Sequence, residues 1–434
     1  MEALSSQKRT ARLFLWLFLL LCLVPSLGVP AFGGSKAGAN EIFAPRPKLT
    51  RKDGTYNLNY LTELTDYVTD RLFLRQEAIT LRNRLSTTLF ATSPSEKVTL
   101  GRGNWLFYTE PLETAPLSDR ELWCAAENLR LLEEYTRSRG SDFLFVLAPN
   151  KSTLCRDMVS NGTVSDDGQH LESLLREMGV SHSSLYSALA FQDDYFYHTD
   201  SHWNGIGAAV AADTILSSLD RQSRYANGPF SEGSGHAGDL SEMLYPAAPD
   251  VETDWLYPFT FTYTSDYHAP NDPLITTEGG GEGSLYCYRD SFGNDLHPYL
   301  AESFRTATFS RKTAFDLTAL DADALLIELV ERNIDYLYQY DHTYPAPERE
   351  LSCAAQKTDP ISVRLAEAGA LTRISGEIGE VDNAPIYLRR GDTLYECAPR
   401  PDGFTLCVEA FAGGELLFCR NGQYYAAELE TISN

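Results

Sequence analysis

A chain of 434 residues, 43% hydrophobic and 22% charged, is long enough for two or three domains and apolar enough for a packed core. Its 36 Lys and Arg against 60 Asp and Glu leave a formal charge of -24. That excess excludes nucleic acid as a partner and argues against adhesion to anionic lipid headgroups, because both need basic surface. Eight cysteines without a CxxC pair are too few for a disulfide scaffold.

Lys8, Arg9 and Arg12 precede an unbroken apolar run from Leu13 to Val24, and no charge follows until Lys36. Residues 1–39 are therefore expected to be an export signal or an N-terminal membrane anchor. Ser26-Leu27-Gly28 and Ala37-Gly38-Ala39 are the candidate cleavage sites. The uncharged stretch slightly exceeds the roughly 20 residues that cross a bilayer, so retention as an anchor stays open. Either way the remainder is expected outside the cytoplasm, secreted or anchored. No small residues precede Cys22, so it is not in a lipobox. Without Cys22 seven cysteines remain, an odd number. Cys397, Cys407 and Cys419 lie close together with Cys353 upstream, and their pairing is not assignable from sequence.

Residues 40–56 are largely polar, with Pro45, Pro47 and Gly54, and are expected to form a linker. Leu61, Leu64, Val68, Leu72, Ile79, Leu85 and Leu89 then recur at helical spacing. Ser118 to Glu121 is a capping box ahead of a second helix. Asp142 to Ala148 is a short apolar run stopped by Pro149, the pattern of a buried parallel strand. Helices are expected at 171–178, 205–219 and 296–304, and strands at 284–288 and 324–330. Apolar strands alternating with helices predict an α/β domain over residues 57–345, an open sheet with helices on both faces. Beyond about Pro345 short β-like runs separated by turns such as Arg420-Asn421-Gly422 predict a small β-rich domain over 346–434.

Three segments carry chemically suggestive residues. In His198-Thr199-Asp200-Ser201-His202-Trp203-Asn204, Asp200 and His202 share one side of an extended backbone. Such a carboxylate can orient an imidazole and stabilise its charged form. The same run is also compatible with a metal site of His198, Asp200 and His202, or with a loop that caps the next helix. In Arg289-Asp290-Ser291-Phe292-Gly293-Asn294, Ser291 follows a predicted strand and precedes a helix, at the sheet edge where open α/β folds keep their sites. It could be a nucleophile activated by His202, or Asp290 and Ser291 could simply cap the helix. Asn150 and Lys151 leave another strand end, where Asn150 could donate to an oxyanion and Lys151 could bind a substrate oxygen, pair with an acid, or lie in a solvated turn.

Taken in order, Gly101-Arg102-Gly103-Asn104-Trp105-Leu106-Phe107, Ala148-Pro149-Asn150-Lys151, Asp200-Ser201-His202-Trp203 with Gly207, and Arg289-Asp290-Ser291-Phe292-Gly293 resemble the AlgX/AlgJ-type SGNH hydrolase-like family, including its DHHW relatives. The segment Glu328 to Asn333 also resembles that family's last strand. The resemblance spans roughly residues 42–345. It implies a flavodoxin-like, three-layer α/β/α fold and a triad of Ser291 as nucleophile, His202 as base and Asp200 as its orienting acid. Asn150, Lys151, Arg289 and Trp203 are then expected around the substrate or oxyanion, with no metal and no cofactor. Known members O-acetylate exported polysaccharides and the wider superfamily contains esterases. The implied partners are a polysaccharide acceptor or substrate and a membrane acyl-transfer protein as acetyl donor. Two features depart from the family pattern: Arg289 stands where a glycine usually precedes Asp-Ser, and the β-rich segment has no counterpart.

The expected function is serine-dependent addition or removal of O-acetyl groups on a cell-envelope glycan. A non-catalytic glycan-binding protein, for which the 24 tyrosines offer stacking surfaces, is the alternative, and a metal-dependent hydrolase a third. The net charge favours a neutral, amino-sugar or cation-masked glycan over a polyuronate, with Arg289 a candidate local exception.

Overall fold

The computed structural model describes residues 2–38, 41–190, 195–222, 224–312, 314–317, 320–341, 343–350 and 354–431. Ala39 of the second cleavage motif and Cys353 lie outside them.

Apolar runs of five to seven residues make the central strands of the main sheet. Its members are β1 (Asp142–Ala148), β2 (His182–Ser184), β3 (Thr262–Tyr263), β4 (Leu274–Glu278), β5 (Ser284–Tyr288), β6 (Thr306–Ser310) and β7 (Ala324–Val330). The order is β2-β1-β7-β5-β6-β4-β3. The first five of these are mutually parallel, and β4 and β3 add antiparallel at one edge. Every residue of β7 is buried, as a central parallel strand covered on both faces requires.

The helices longer than six residues are α1 (Glu2–Phe32), α2 (Tyr60–Asp70), α3 (Arg75–Phe90), α4 (Asp119–Ser138), α5 (Asp167–Met178), α6 (Gly205–Ser218) and α7 (Gly293–Ser303). Alternate strand residues face opposite ways. Phe143, Phe145, Leu325 and Ile327 pack with α4 and α5. Leu144, Val146, Leu285 and Leu326 pack with α6 and α7 on the other face. The predicted capping box is formed: Ser118 Oγ accepts from the Glu121 N–H, and Glu121 accepts from the Ser118 N–H at 2.8 Å. Within Ala11–Phe32, 22 residues of α1 are long and apolar enough to cross a membrane.

The helical stretch expected over 57–90 is two helices. The chain breaks at Leu74, whose φ of 60° is left-handed. Leu61, Val68, Leu85 and Leu89 lie outside the core, exposed.

The β-rich segment forms a barrel. Strands β8 (Ile361–Ala368), β9 (Leu371–Glu377), β10 (Ile386–Arg390), β11 (Thr393–Arg400), β12 (Gly403–Val408), β13 (Glu415–Arg420) and β14 (Gln423–Thr431) pair in the ring β11-β10-β13-β14-β8-β9-β12, and β12 closes back onto β11. Val363, Ile374, Ile386, Leu388, Phe404 and Leu416 fill it. Its β13–β14 turn has Asn421 and Gly422 at φ 52° and 75°, the type I′ geometry read from Asn-Gly.

The barrel meets α4 through charge. Glu396 of β11, only 3% exposed, accepts from Arg130 at 2.7 Å and Arg349 at 2.6 Å, and Arg349 also holds Glu134 at 2.6 Å. Asn128 of α4 donates to the carbonyls of Leu337 and Pro399. Glu396→Ala would leave two guanidinium groups without their shared carboxylate. It should cost about 1–3 kcal/mol of stability, since Arg130 keeps Glu127 and Arg349 keeps Glu134. Chemical denaturation reads this directly, and an unchanged midpoint would show that the network contributes nothing.

Candidate active site

Three neighbouring strands of the sheet deliver residues to one edge. Chain leaving β1 supplies Asn150 and Lys151, chain leaving β7 supplies Glu331, Arg332 and Asn333, and chain leaving β5 supplies Ser291 immediately before α7. Asp290 fixes the Ser291 loop: its Oδ1 accepts from the Phe292 N–H, and its Oδ2 from the Val330 N–H and from Asn333 Nδ2 at 2.7 Å each. Asp290 therefore braces the loop against β7, a role beyond the helix cap that its position also suggests. Asp200 and His202 arrive from the loop that precedes α6, whose first turn is capped by Asn204 accepting from the Ile206 and Gly207 N–H groups. A Cβ on Gly207 would stand 2.3 Å from the Tyr195 carbonyl oxygen, so only glycine lets the helix approach that loop.

Ser291, His202 and Asp200 form one hydrogen-bonded line. His202 Nε2 lies 2.9 Å from Ser291 Oγ, and His202 Nδ1 lies 2.7 Å from Asp200 Oδ1. Asp200 is buried and accepts four hydrogen bonds. Oδ1 takes the His202 N–H and ring, and Oδ2 takes His236 Nε2 at 2.7 Å and the Asp239 N–H at 2.9 Å. Burial raises its pKa, but the bonds from His202 and His236 outweigh burial and hold it well below the usual carboxylate range. For His202 burial disfavours the charged ring. The hydrogen bond and charge of Asp200, with Asp239 behind, prevail and raise its pKa. His236 shows the same balance in the same direction, and its ring stacks on Tyr197 at 4.0 Å. Asp295 is half-buried beside this group, and desolvation pushes it up to about 6.

The other expected site residues face inward. Lys151 donates to the carbonyl oxygens of Tyr197 and His198 at 3.2 Å each and to that of Asp200. Its ammonium also lies over the Trp105 and Phe107 rings, and burial pushes its pKa down to about 8. It pairs with backbone, neither with an acid nor with a solvent-facing oxygen, because the turn that carries Asp200 turns three carbonyls toward it. Arg289 is buried too. Its guanidinium donates to Asn294 Oδ1 at 2.6 Å and to the carbonyls of Pro270, Asp272 and Asp290. It is thus no free cation at the mouth. Trp203 is fully buried and packs edge-on against Phe292 at 4.9 Å, beneath the site. Asn150 Oδ1 accepts from Arg332, whose guanidinium sits 5.5 Å over the Phe292 ring. His198 turns away and stacks on Trp105 at 4.4 Å. Among the described residues, the atoms close enough to share an ion belong to Asp200, His202 and Asp239, so the His198 metal set is not assembled.

A cavity of about 140 Å³ opens at Ser291 and is lined by Arg289, Arg311, Lys312, Asn333 and Tyr336. A larger polar groove of about 1120 Å³, bordered by His198, Trp105 and Tyr245, does not include Ser291. Arg311 and Lys312 therefore join Arg289 as the cations at this cavity. Sequence reasoning missed these two, and also His236, Asp239 and Arg332. The one signal for His236 and Asp239 is a histidine between glycines and an aspartate three residues on, 34 or more residues from Asp200's partner His202.

The resemblance drawn from the motifs is borne out by comparison. Residues 98–269 match the family model described as SGNH hydrolase-like domain, acetyltransferase AlgX. That match ends before the Ser291 segment and the barrel. Over 163 residues the chain is 25% identical to a protein of Pseudomonas putida described as probable alginate O-acetylase AlgJ, covering 34% of this chain. The chain spans only 42% of the length of that curated relative. Among solved structures, the O-acetyltransferase domain of Pseudomonas putida AlgJ is 17% identical at a TM-score of 0.41, covering 56% of this chain and 93% of that one. Bacillus cereus PatB1, solved with a sulfonyl adduct, is 16% identical at 0.44, covering 56% and 98%.

Lys151→Met removes the donor for three carbonyls in the turn that carries Asp200. It should lower stability by about 1–3 kcal/mol, the cost of stranding buried acceptors. Urea unfolding is the check, and a wild-type midpoint would show that the turn holds without the ammonium.

Proposed function

We propose that the chain is an extracytoplasmic serine O-acyltransferase or esterase acting on O-acetyl groups of a polysaccharide, with Ser291 as nucleophile, His202 as base and Asp200 as orienting acid. The observation that carries this reading is the continuous line from Ser291 Oγ through His202 to Asp200, with contacts of 2.9 and 2.7 Å. In this scheme His202 takes the Ser291 proton as Oγ attacks the acetyl carbonyl. The oxyanion is held by donors at the start of α7 and by Asn150. Collapse expels the donor's oxygen or sulfur with the proton from His202. A sugar hydroxyl or water then accepts the acetyl group with His202 again as base.

The acetyl donor is proposed to be a membrane acyl-transfer protein. Arg311 and Lys312 at the cavity offer local relief from the repulsion that a charge of -24 would exert on an anionic acceptor. We read the flanked sheet as the flavodoxin-like domain over 57–345 and the barrel as a separate domain over 346–434. For residues 1–39 the anchor is favoured over a cleaved signal. The Phe73 N–H donates to the Pro25 carbonyl, Phe32 stacks on Phe73 at 5.2 Å, and Gln76 donates to the Lys36 carbonyl. Cleavage after Ala39 would remove all three contacts, and cleavage after Gly28 would remove the Pro25 contact.

Ser291→Ala should abolish turnover of an activated acetyl ester, and unchanged turnover would refute the assignment. Acetyl content of envelope polysaccharide, measured by mass spectrometry with and without Ser291, separates the two directions. A fall on loss means transferase and a rise means esterase.

His202 must be neutral to act as a base, so kcat/KM should fall as pH drops through its raised pKa. His236 bonds the far oxygen of the same carboxylate, so its charged form opposes protonation of His202. Asp239, Asp254 and Asp295 also bear on this pair. His236→Gln keeps a donor and removes the charge. The acid limb of kcat/KM should then move to higher pH, and an unmoved limb would rule out the coupling.

A further inference from the structure

Helix α3 is turned inside out. Its buried residues are Gln76, Thr80 and Asn83, all polar. Each hydrogen-bonds to the body of the protein, though Asn83 Oδ1 has no partner. Gln76 donates to the Lys36 carbonyl and Glu41, Thr80 Oγ1 accepts from the Ala247 N–H, and Asn83 donates to the Leu244 carbonyl at 2.8 Å. One turn later Thr87 bonds the Tyr245 hydroxyl. The opposite face carries Leu74, Ala78, Leu81, Leu85 and Leu89, spaced three or four apart so that they form one stripe. Leu81, Leu85 and Leu89 are 63%, 49% and 67% exposed, and Phe90 at the helix end is 71% exposed. An amphipathic helix normally buries its apolar stripe, so a reversed one needs an apolar environment outside the chain.

The neighbouring helix identifies that environment. The membrane-length stretch of α1 ends at Phe32, and its last turns pack on the corner between α2 and α3. A Cβ on Gly28 would stand 2.4 Å from the Phe73 ring, so the ring lies directly on α1 about one turn short of its end. Phe73 is two residues before α3 begins. The leucine stripe therefore starts where α1 would leave the hydrocarbon. Helix α2 exposes Leu61 and Val68 in the same region of chain. Nor does such contact require the basic surface that this acidic chain lacks, since burying leucines in the acyl boundary is an apolar interaction.

We propose that the Leu81–Leu85–Leu89 face of α3 lies in the headgroup–acyl boundary of the bilayer that α1 crosses, holding the enzyme body against the membrane surface. This rests on reading α1 as a retained anchor. A lipid-facing stripe fixes the body's orientation, which a single helix joined through a flexible linker would not do.

The test uses the full-length chain in membranes of the expressing cell. A photoactivatable benzophenone side chain replaces Leu85, Leu17 of α1, or Leu365, an exposed leucine of the barrel, in three separate proteins. All three positions are exposed, and turnover of the activated acetyl ester confirms that each protein is folded. After irradiation, mass spectrometry identifies the adducts. The expected result is phospholipid adducts at Leu85 and Leu17, with a yield at Leu85 about tenfold or more above that at Leu365. Adducts at Leu85 to a second copy or to another protein, or no adduct there, overturn the proposal while leaving the anchor intact if Leu17 still labels lipid. Failure at Leu17 overturns the anchor reading, and this proposal with it.

Discussion

The site depends on keeping one carboxylate charged inside the protein. Asp200 is buried, and a buried carboxylate is tolerated only if its lone pairs are used. Here each oxygen accepts two hydrogen bonds, from two imidazoles and two backbone N–H groups. Much of the surrounding architecture serves that arrangement. Gly238 has the Thr199 carbonyl 2.2 Å from where a Cβ would stand, and this close approach brings the Asp239 N–H to Asp200. Lys151 gathers the carbonyls on either side of the same turn, so its backbone does not relax away from His202. Asp239 in turn accepts from the Ser201 N–H and hydroxyl, which fixes the residue between Asp200 and His202.

The positive groups around this centre divide by where their charge is spent. Lys151 is spent on backbone carbonyls as an internal strut, and Arg289 is held by carbonyls and by Asn294 although it borders the cavity at Ser291. Arg311 and Lys312 line the cavity at Ser291 and do face it. Arg332 is intermediate: it holds Asn150 and lies over Phe292, close enough that its charge lowers the proton affinity of His202. A chain with a large excess of carboxylates thus keeps a small region of opposite sign at its serine. Net charge describes the surface at large and says little about such a pocket.

How much of this was legible in the sequence follows from what each signal encodes. The strands at 142–148, 284–288 and 324–330 were legible because a fully buried parallel strand is a continuous apolar run. The meeting of Ser291, His202 and Asp200 was legible because Ser291 follows a strand end, Asp200 and His202 are spaced to pair, and the order of the motifs resembles that of the AlgX/AlgJ-type family. The direction of Lys151, Arg289 and Trp203 was not. A residue beside a catalytic-looking motif can point toward the substrate or into the fold, and sequence spacing does not distinguish the two. His236 was hidden for another reason: it reaches Asp200 across a loop between α6 and the sheet, a contact with no periodic signature. Closure of the barrel was equally hidden, since it depends on the parallel pairing of β8 with β14, some 68 residues apart at Ile361 and Leu429.

Helix α3 shows where helical spacing by itself misleads. The leucines of residues 57–90 recur as a core-facing stripe would, yet the core is met by Gln76, Thr80 and Asn83. The hydrophobic pattern gives the period of a helix and not the side on which its apolar medium lies. In a chain that also carries a membrane-length helix, that medium has two sources, the protein core and the bilayer. The polar face bears on which one applies: Gln76, Thr80 and Asn83 bond to the segments around Lys36, Ala247 and Leu244, and a helix rotated to bury its leucines would break those bonds. Stranding several buried polar groups costs more than exposing the stripe when lipid is there to cover it. Under the proposed docking to the bilayer, the inverted helix keeps its polar bonds and covers its leucines at the same time.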